Sequence, residues 1–461
     1  MSENHYDAVV VGAGQGGVPL ATAFAKAGRR TALIEREHVG GTCINEGCTP
    51  TKTMVASARV AYLTRRAADY GVKTAAVEVE MRAVRARKRA MVEQFRASSE
   101  SRLQGTAGLD LVRGEARFAG PKSLSVASVG GDREITADSI VLDVGARPAL
   151  PNVPGSDGVH ILDSTSIMEL DVLPEHLIVL GGGYVGLEFA QMFRRFGSGV
   201  TIVQRGPRLL GREDDDVAEA VAAILREDGI DVLLGTDAVS VTSGEGGVRL
   251  AVKGADGERL LDGSHVLAAA GRTPNTDRLG LDRAGVNTDA RGYITVDERL
   301  ATNVRDIYAI GDATGSPAFT HVAYDDYRIL CTNLIDGGDA TTSDRLIPYT
   351  VFIDPQLGRV GLGENEARDQ GLAIRIATLP MSGVARALEL GETRGFLKTI
   401  VAADSDQILG FAALGLEGGE LMAVVQTAMM GKLPYTALRD GMFAHPTFAE
   451  SLNSLFAALD V

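Results

Sequence analysis

Cysteine is scarce in this chain, 3 in 461 residues, so no disulfide framework holds it together. Basic charge is short as well. There are 46 Lys and Arg against 60 Asp and Glu, net charge is −14, and no Lys/Arg block is long enough for a nucleic-acid footprint. No apolar run reaches the ~18 residues that a membrane-crossing helix needs. The chain enters a strand pattern at Tyr6 without a charged-then-apolar leader, so no signal peptide is expected. Together these absences read as a cytoplasmic protein with no nucleic-acid or membrane partner. In that compartment a cysteine pair points to redox chemistry rather than to a structural cross-link.

Glycine is abundant, at 55 residues, and apolar side chains make up 45% of the chain. That suits large cores, many tight turns and two to four domains. Two of the three cysteines stand together, in Gly40-Gly-Thr-Cys43-Ile-Asn-Glu-Gly-Cys48-Thr-Pro-Thr-Lys52. The stretch reads as a loop entering a helix, with Cys48 close to the helix start, where the positive end of the helix dipole favours a thiolate. No His or third Cys adjoins the pair to complete a zinc site. Taken alone, the two residues are redox thiols or buried structural ones in equal measure.

Tyr6 to Val11 is a short apolar run, read as a buried parallel strand. Gly12-x-Gly14-x-x-Gly17 follows, then a helix through Ala27, a strand from Thr31 to Ile34, and Glu35. Strand, glycine fingerprint, helix, strand and acid in one unit spell a dinucleotide site. Gly12 makes the turn, Gly14 admits a pyrophosphate, Gly17 lets helix and strand pack, and Glu35 suits ribose hydroxyls. A second such unit begins at Leu177, with Gly181, Gly183 and Gly186, and its next strand, Val200 to Val203, ends in Gln204-Arg205 instead of an acid. A carboxylate there would repel a 2′-phosphate, whereas Arg205, with Arg208 nearby, offers planar forks for one. NADPH is therefore expected over NADH, unless these arginines are ordinary surface charges. From about Asp344 the pattern changes to strands followed by helices. Here His445-Pro-Thr-Phe-Ala-Glu450 lets a carboxylate orient one imidazole nitrogen and leave the other as a base.

Gly-Gly-Thr-Cys-x4-Cys-x-Pro-x-Lys, with both fingerprints and the His–Glu pair, resembles the class I pyridine nucleotide-disulfide oxidoreductases over essentially the whole chain. That family includes dihydrolipoamide dehydrogenase, glutathione reductase and mercuric reductase. The resemblance implies an α/β protein with two Rossmann-like dinucleotide-binding domains, for FAD and NAD(P)H, and an α+β C-terminal dimerisation domain. Its expected boundaries are 1–148 and 270–343 for the FAD domain, 149–269 for the NAD(P)H domain and 344–461 for the interface domain. It implies a redox disulfide between Cys43 and Cys48, with Cys48 nearer the flavin and Cys43 as exchange thiol. Lys52 would lie near the flavin and pair with Glu188. His445, held by Glu450, would serve the cysteine pair of the other subunit of a homodimer.

The same resemblance places Gly41, Thr42, Gly145, Asp312 and Ala313 at FAD, and Gly271 and Arg272 at the return from the NAD(P)H domain. Asp143 and Val144 depart from the family's Ala-Thr before Gly145. His321 either faces the flavin edge or simply caps or packs, and Cys331 is expected to be a buried bystander. A terminal vicinal cysteine pair and a Tyr at position 445, both marks of mercuric reductases, are absent. Similarity runs instead to a mercuric-reductase-like bacterial branch linked to reactive-chlorine resistance and copper(II) reduction. The expected activity passes electrons from NADPH to FAD, to the disulfide, and then to a metal ion such as Cu(II) or a small disulfide. The alternatives are a dihydrolipoamide dehydrogenase subunit of a 2-oxo acid dehydrogenase complex and a low-turnover flavin redox sensor.

Overall fold

The computed structural model describes residues 4–128, 130–244 and 246–460. They gather into two compact units. The first comprises Met1–Thr53, Arg85–Ala149 and Gly271–Arg345, and the second comprises Met54–Val84, Leu150–Ala270 and Leu346–Val461.

In the first unit, β1 (His5–Val11) lies between β2 (Thr31–Glu35) and the strand Arg133–Leu142, parallel to both. Leu109–Arg113 extends the parallel sheet beyond β2, and Ile307–Ala309 pairs with Arg133–Leu142. Two antiparallel strands, Ser123–Ala127 and Glu115–Gly120, complete its far side. The unbroken apolar run of β1 is explained by burial on both faces. Ala8 and Val10 enter one core with Leu20, Ala21 and Phe24, while Val9 and Val11 enter another with Phe118 and Ile140. The helix α1 (Gly17–Lys26) supplies Leu20, Ala21 and Phe24 from one stripe, the spacing a helix packed on a sheet requires.

The second unit repeats this plan. His176–Leu180 is flanked in parallel by Gly199–Val203 and His265–Ala268, with Asp231–Leu233 and Ile161–Leu162 at the edges. Leu177 and Val179 face the core that takes Leu187 and Phe193 of the helix Tyr184–Phe196, and Ile178 and Leu180 face the other side. A three-stranded antiparallel sheet, Asp237–Gly263, covers that other side through Leu250 and Val252. Beyond residue 346 an antiparallel sheet runs in the order 349–351, 356–361, 408–415, 396–402, 374–380. It packs with the helices Gly418–Met430 and Ser451–Ala457. Among the described residues no helix is long and apolar enough to cross a membrane.

Candidate active site

Cys43 sits on a helix of its own, where the sequence reads as loop. Gly40 and Gly41 both have positive φ, 104° and 57°, and turn the chain into α2 (Gly41–Asn45). The Asn45 amide donates to the carbonyls of Val39 (3.1 Å) and Gly41 (2.9 Å) and holds that short helix in place. Cys48 is the first residue of α3 (Cys48–Arg65), as the sequence predicts. The two sulfurs stand as thiols. A hydrogen bond to Cys48 is the largest influence on the Cys43 thiol and pushes its pKa upward; burial and the charge of Cys48 add to this, while Thr320 and Lys52 pull the other way. Cys48 is exposed and its sulfur lies 3.3 Å from the Thr320 hydroxyl. Sequence reasoning passed over Thr320; its only signal is a hydroxyl at the first position of the helix Thr320–Leu334. The His321 ring stacks on Phe319 at 5.3 Å, and Cys331 is half-buried with its thiol pushed up to about 11, chiefly by burial.

The first glycine turn is closed by side chains. Glu35 accepts from the Ala13 N–H at 2.9 Å and from the Glu37 N–H at 2.7 Å. A Cβ on Gly12 would lie 2.2 Å from the Asp143 carbonyl oxygen, and one on Gly17 would lie 2.3 Å from the Gly12 carbonyl oxygen. Asp143, the departure from the family pattern, accepts from the Gly17 N–H at 2.7 Å. A Cβ on Gly14 would stand 2.6 Å from its carboxylate. Burial drives the Asp143 pKa well above the carboxylate range, and Asp312, Asp326 and Glu35 push it further. The folded turn thus favours the protonated form of this carboxyl more than water does. Asp312 lies 3.5 Å from the Arg272 guanidinium and is also raised by burial. Ala313 is fully buried, and Gly145 takes a positive φ of 64° with open space where a Cβ would be. Glycines that no Cβ could replace, an acid at the strand end and a second acid at 312 fit FAD.

In the second turn Gln204 takes the acid's structural place. Its side-chain oxygen accepts from the Gly182 N–H at 2.9 Å, and its amide donates to the Arg208 carbonyl at 3.3 Å. A Cβ on Gly186 would meet the Gly181 carbonyl oxygen at 2.1 Å, whereas nothing lies within 4 Å of one on Gly183. Arg205 is exposed and has no ion-pair partner among the described residues. Arg208 pairs with Asp215, which leaves it less available for a phosphate. Glu188 is buried and accepts from the Phe352 N–H at 2.9 Å. At the far end of the chain His445 Nδ1 faces both Glu450 oxygens, at 2.9 and 3.1 Å. Nδ1 is then the protonated nitrogen and Nε2 the free one. Glu450 stands immediately before the helix Ser451–Ala457 as its N-cap residue.

Residues 6–326 match the model of pyridine nucleotide-disulphide oxidoreductases, and residues 347–456 match that family's dimerisation domain. The chain belongs to this family. It is 40% identical over 460 residues to a probable pyridine nucleotide-disulfide oxidoreductase, RclA, of Escherichia coli, covering 98% of this chain and 99% of that one. Mercuric reductase of Acidithiobacillus ferrooxidans is 36% identical, with 96% and 81% covered. The solved structure of a Cu(II) complex of the HOCl-induced flavoprotein disulfide reductase RclA superposes with a TM-score of 0.90 at 38% identity, covering 98% of this chain and 99% of that one. This class I pyridine nucleotide-disulfide oxidoreductase is thus an oxidoreductase enzyme of the flavoprotein disulfide reductases, an FAD-dependent family with a pyridine nucleotide substrate. The dimerisation-domain match supports a homodimer.

Proposed function

We propose that this flavoprotein disulfide reductase uses NADPH to reduce a Cys43–Cys48 disulfide and passes the electron pair to a metal ion such as Cu(II) or to a small disulfide. FAD, when bound, supplies the two-electron relay between the nicotinamide and the cysteine pair. Gly12, Gly14, Gly17, Glu35, Gly41, Thr42, Lys52, Gly145, Asp312 and Ala313 are assigned to holding it. Gly181, Gly183, Gly186, Gln204 and Arg205 are assigned to NADPH, with Gly271 and Arg272 at the return between the FAD and NAD(P)H domains. The four-part division at 148, 269 and 343 belongs to the same reading.

The observation that carries the proposal is the setting of the cysteine pair: Cys48 opens a helix, is exposed and lies 3.3 Å from the Thr320 hydroxyl, and its proximity to Cys43 raises the Cys43 pKa. Cys48 is then the flavin-side thiol, with Lys52 and Glu188 serving that side of the relay. Cys43 is the exchange thiol and must lose its proton to act. His445 Nε2, with Nδ1 held by Glu450, takes that proton across the homodimer. The dithiol gives up two electrons and two protons as its disulfide re-forms, enough to reduce two Cu(II) to two Cu(I) or one disulfide to two thiols. The Cu(II) complex of the similar E. coli structure supports a metal-ion acceptor. Purified protein assayed with NADPH against Cu(II), Hg(II), lipoamide and glutathione disulfide tests this. Fastest turnover with Cu(II) or glutathione disulfide is expected, and lipoamide as much the fastest acceptor would favour a 2-oxo acid dehydrogenase role instead.

A further inference from the structure

A cavity of about 630 Å³ opens in the second unit, between the end of α3, residues 194–197, residues 227–228 and residues 391–394. None of the redox or dinucleotide residues lines it. Its walls carry five arginines and only three carboxylates, in a chain whose net charge is −14. Three of the arginines are compensated. Arg394 lies 2.7 Å from both Asp228 and Glu392. Arg195 pairs with Asp354 and Asp228, and Arg66 pairs with Asp69 at 3.0 Å and Glu392 at 3.8 Å.

Arg65 and Arg194 are different. Arg65 donates to the carbonyls of Arg195 and Phe196. Arg194 donates to the carbonyls of Asp228 at 2.9 Å and Ser198 at 3.4 Å. Among the described residues neither has a carboxylate partner, so both keep a full positive charge at the cavity wall. A third donor stands idle. Arg195 is 5% exposed, its guanidinium lies 3.8 Å over the Tyr62 ring, and its buried Nε has no hydrogen-bond partner. A buried donor left unpaired is costly, and a ligand acceptor would satisfy it.

We propose that this cavity binds a small phosphate-bearing anion, held by Arg65 and Arg194, with the Arg195 Nε–H as a further donor. Two uncompensated guanidinium forks match the double charge of a phosphate better than the single charge of a carboxylate. The volume is within the ~300–1,000 Å³ of small-molecule sites.

The test is calorimetric titration of inorganic pyrophosphate into the full-length FAD-loaded protein, with NADP+ saturating the nucleotide site and ionic strength matched by sodium chloride. Saturable binding at one site per chain is expected. Arg194→Gln should weaken it by about tenfold or more, the usual consequence of removing one partner of a desolvated charge pair. Because Arg194 also ties down backbone carbonyls, Thr393→Asp is the cleaner variant: it brings a negative charge into the cavity and removes none of the ion pairs above. It should weaken pyrophosphate binding at least as much while leaving the melting temperature of the ligand-free protein unchanged. Absence of saturable binding to the wild-type protein, or equal affinity in Thr393→Asp, would overturn the proposal.

Discussion

The two glycine turns of this chain solve one structural problem with different chemistry. In the first, Glu35 accepts a hydrogen bond from the Ala13 N–H, and in the second Gln204 accepts one from the Gly182 N–H, both at 2.9 Å. A residue at this strand end therefore has two separable jobs. Tying the turn needs only an acceptor oxygen, which either side chain supplies. Selecting a nucleotide needs charge, and there the two part company: the first turn presents a carboxylate, the second a neutral amide followed by the exposed Arg205. Replacing acid by amide keeps the hydrogen bond that ties the turn and removes its charge.

The largest expected effect leaves both turns alone. His445→Ala should slow thiol exchange by roughly 10²–10⁴-fold, the weight of a positioned acid/base, with flavin reduction by NADPH nearly intact in stopped-flow traces. Glu35→Lys breaks the first turn, because it removes the acceptor of two backbone N–H groups and reverses the charge. FAD affinity should fall by roughly a hundredfold, visible as a low flavin-to-protein ratio that NADPH does not restore. Gln204→Glu sharpens the comparison: it keeps the acceptor and restores the charge. The ratio of kcat/KM for NADPH over NADH should drop by about tenfold, with Arg205→Glu moving it the same way. Preference for NADH in the wild-type enzyme would remove the basis for reading Gln204 and Arg205 as phosphate-selective.

The glycines at the third fingerprint position should respond alike in both units. Gly17→Ala and Gly186→Ala each drive a methyl group against a backbone carbonyl, at 2.3 and 2.1 Å, and each should cost about 1–3 kcal/mol in unfolding experiments. The smallest effect is a pH dependence peculiar to the first turn. Asp143 has its pKa raised in the folded protein, so the folded state holds that proton longer than the unfolded one. Its contribution to stability is complete below the unfolded carboxylate pKa and declines as pH rises toward the folded value. Asp143→Asn keeps an acceptor for Gly17 and has no proton to lose. Its melting temperature should fall less than that of the wild type as pH rises, and an unchanged pH profile would show that Asp143 is ionised in the fold.

Much of this was legible in the sequence, because glycine fingerprints and unbroken apolar strands are local patterns with few physical solutions. The strand, turn and helix around Gly12 and around Gly181 fall where those patterns put them. Less legible were features made by residues far apart in the chain. The Asp143 bond to Gly17 spans 126 residues, and the Thr320 contact with Cys48 spans 272. No local pattern announces either, although Asp143 was conspicuous as a departure from the family's Ala-Thr. The helix at Cys43 is not legible because it is five residues long, starts on Gly41 and follows Gly40, a composition that ordinarily signals loop. Gln204 was read for its lack of charge alone. Its second role, tying the turn, depends on a backbone N–H that sequence does not place.

The central claim, that Cys43 and Cys48 cycle between disulfide and dithiol through bound FAD, is open to one direct measurement. The oxidised enzyme and the enzyme reduced anaerobically with one equivalent of NADPH are alkylated and read by peptide mass spectrometry. The account predicts a Cys43–Cys48 disulfide before reduction, alkylation at Cys43 after it, and no change at Cys331. Thiols at 43 and 48 in the oxidised enzyme, or an intact disulfide after NADPH has reduced the flavin, would contradict it.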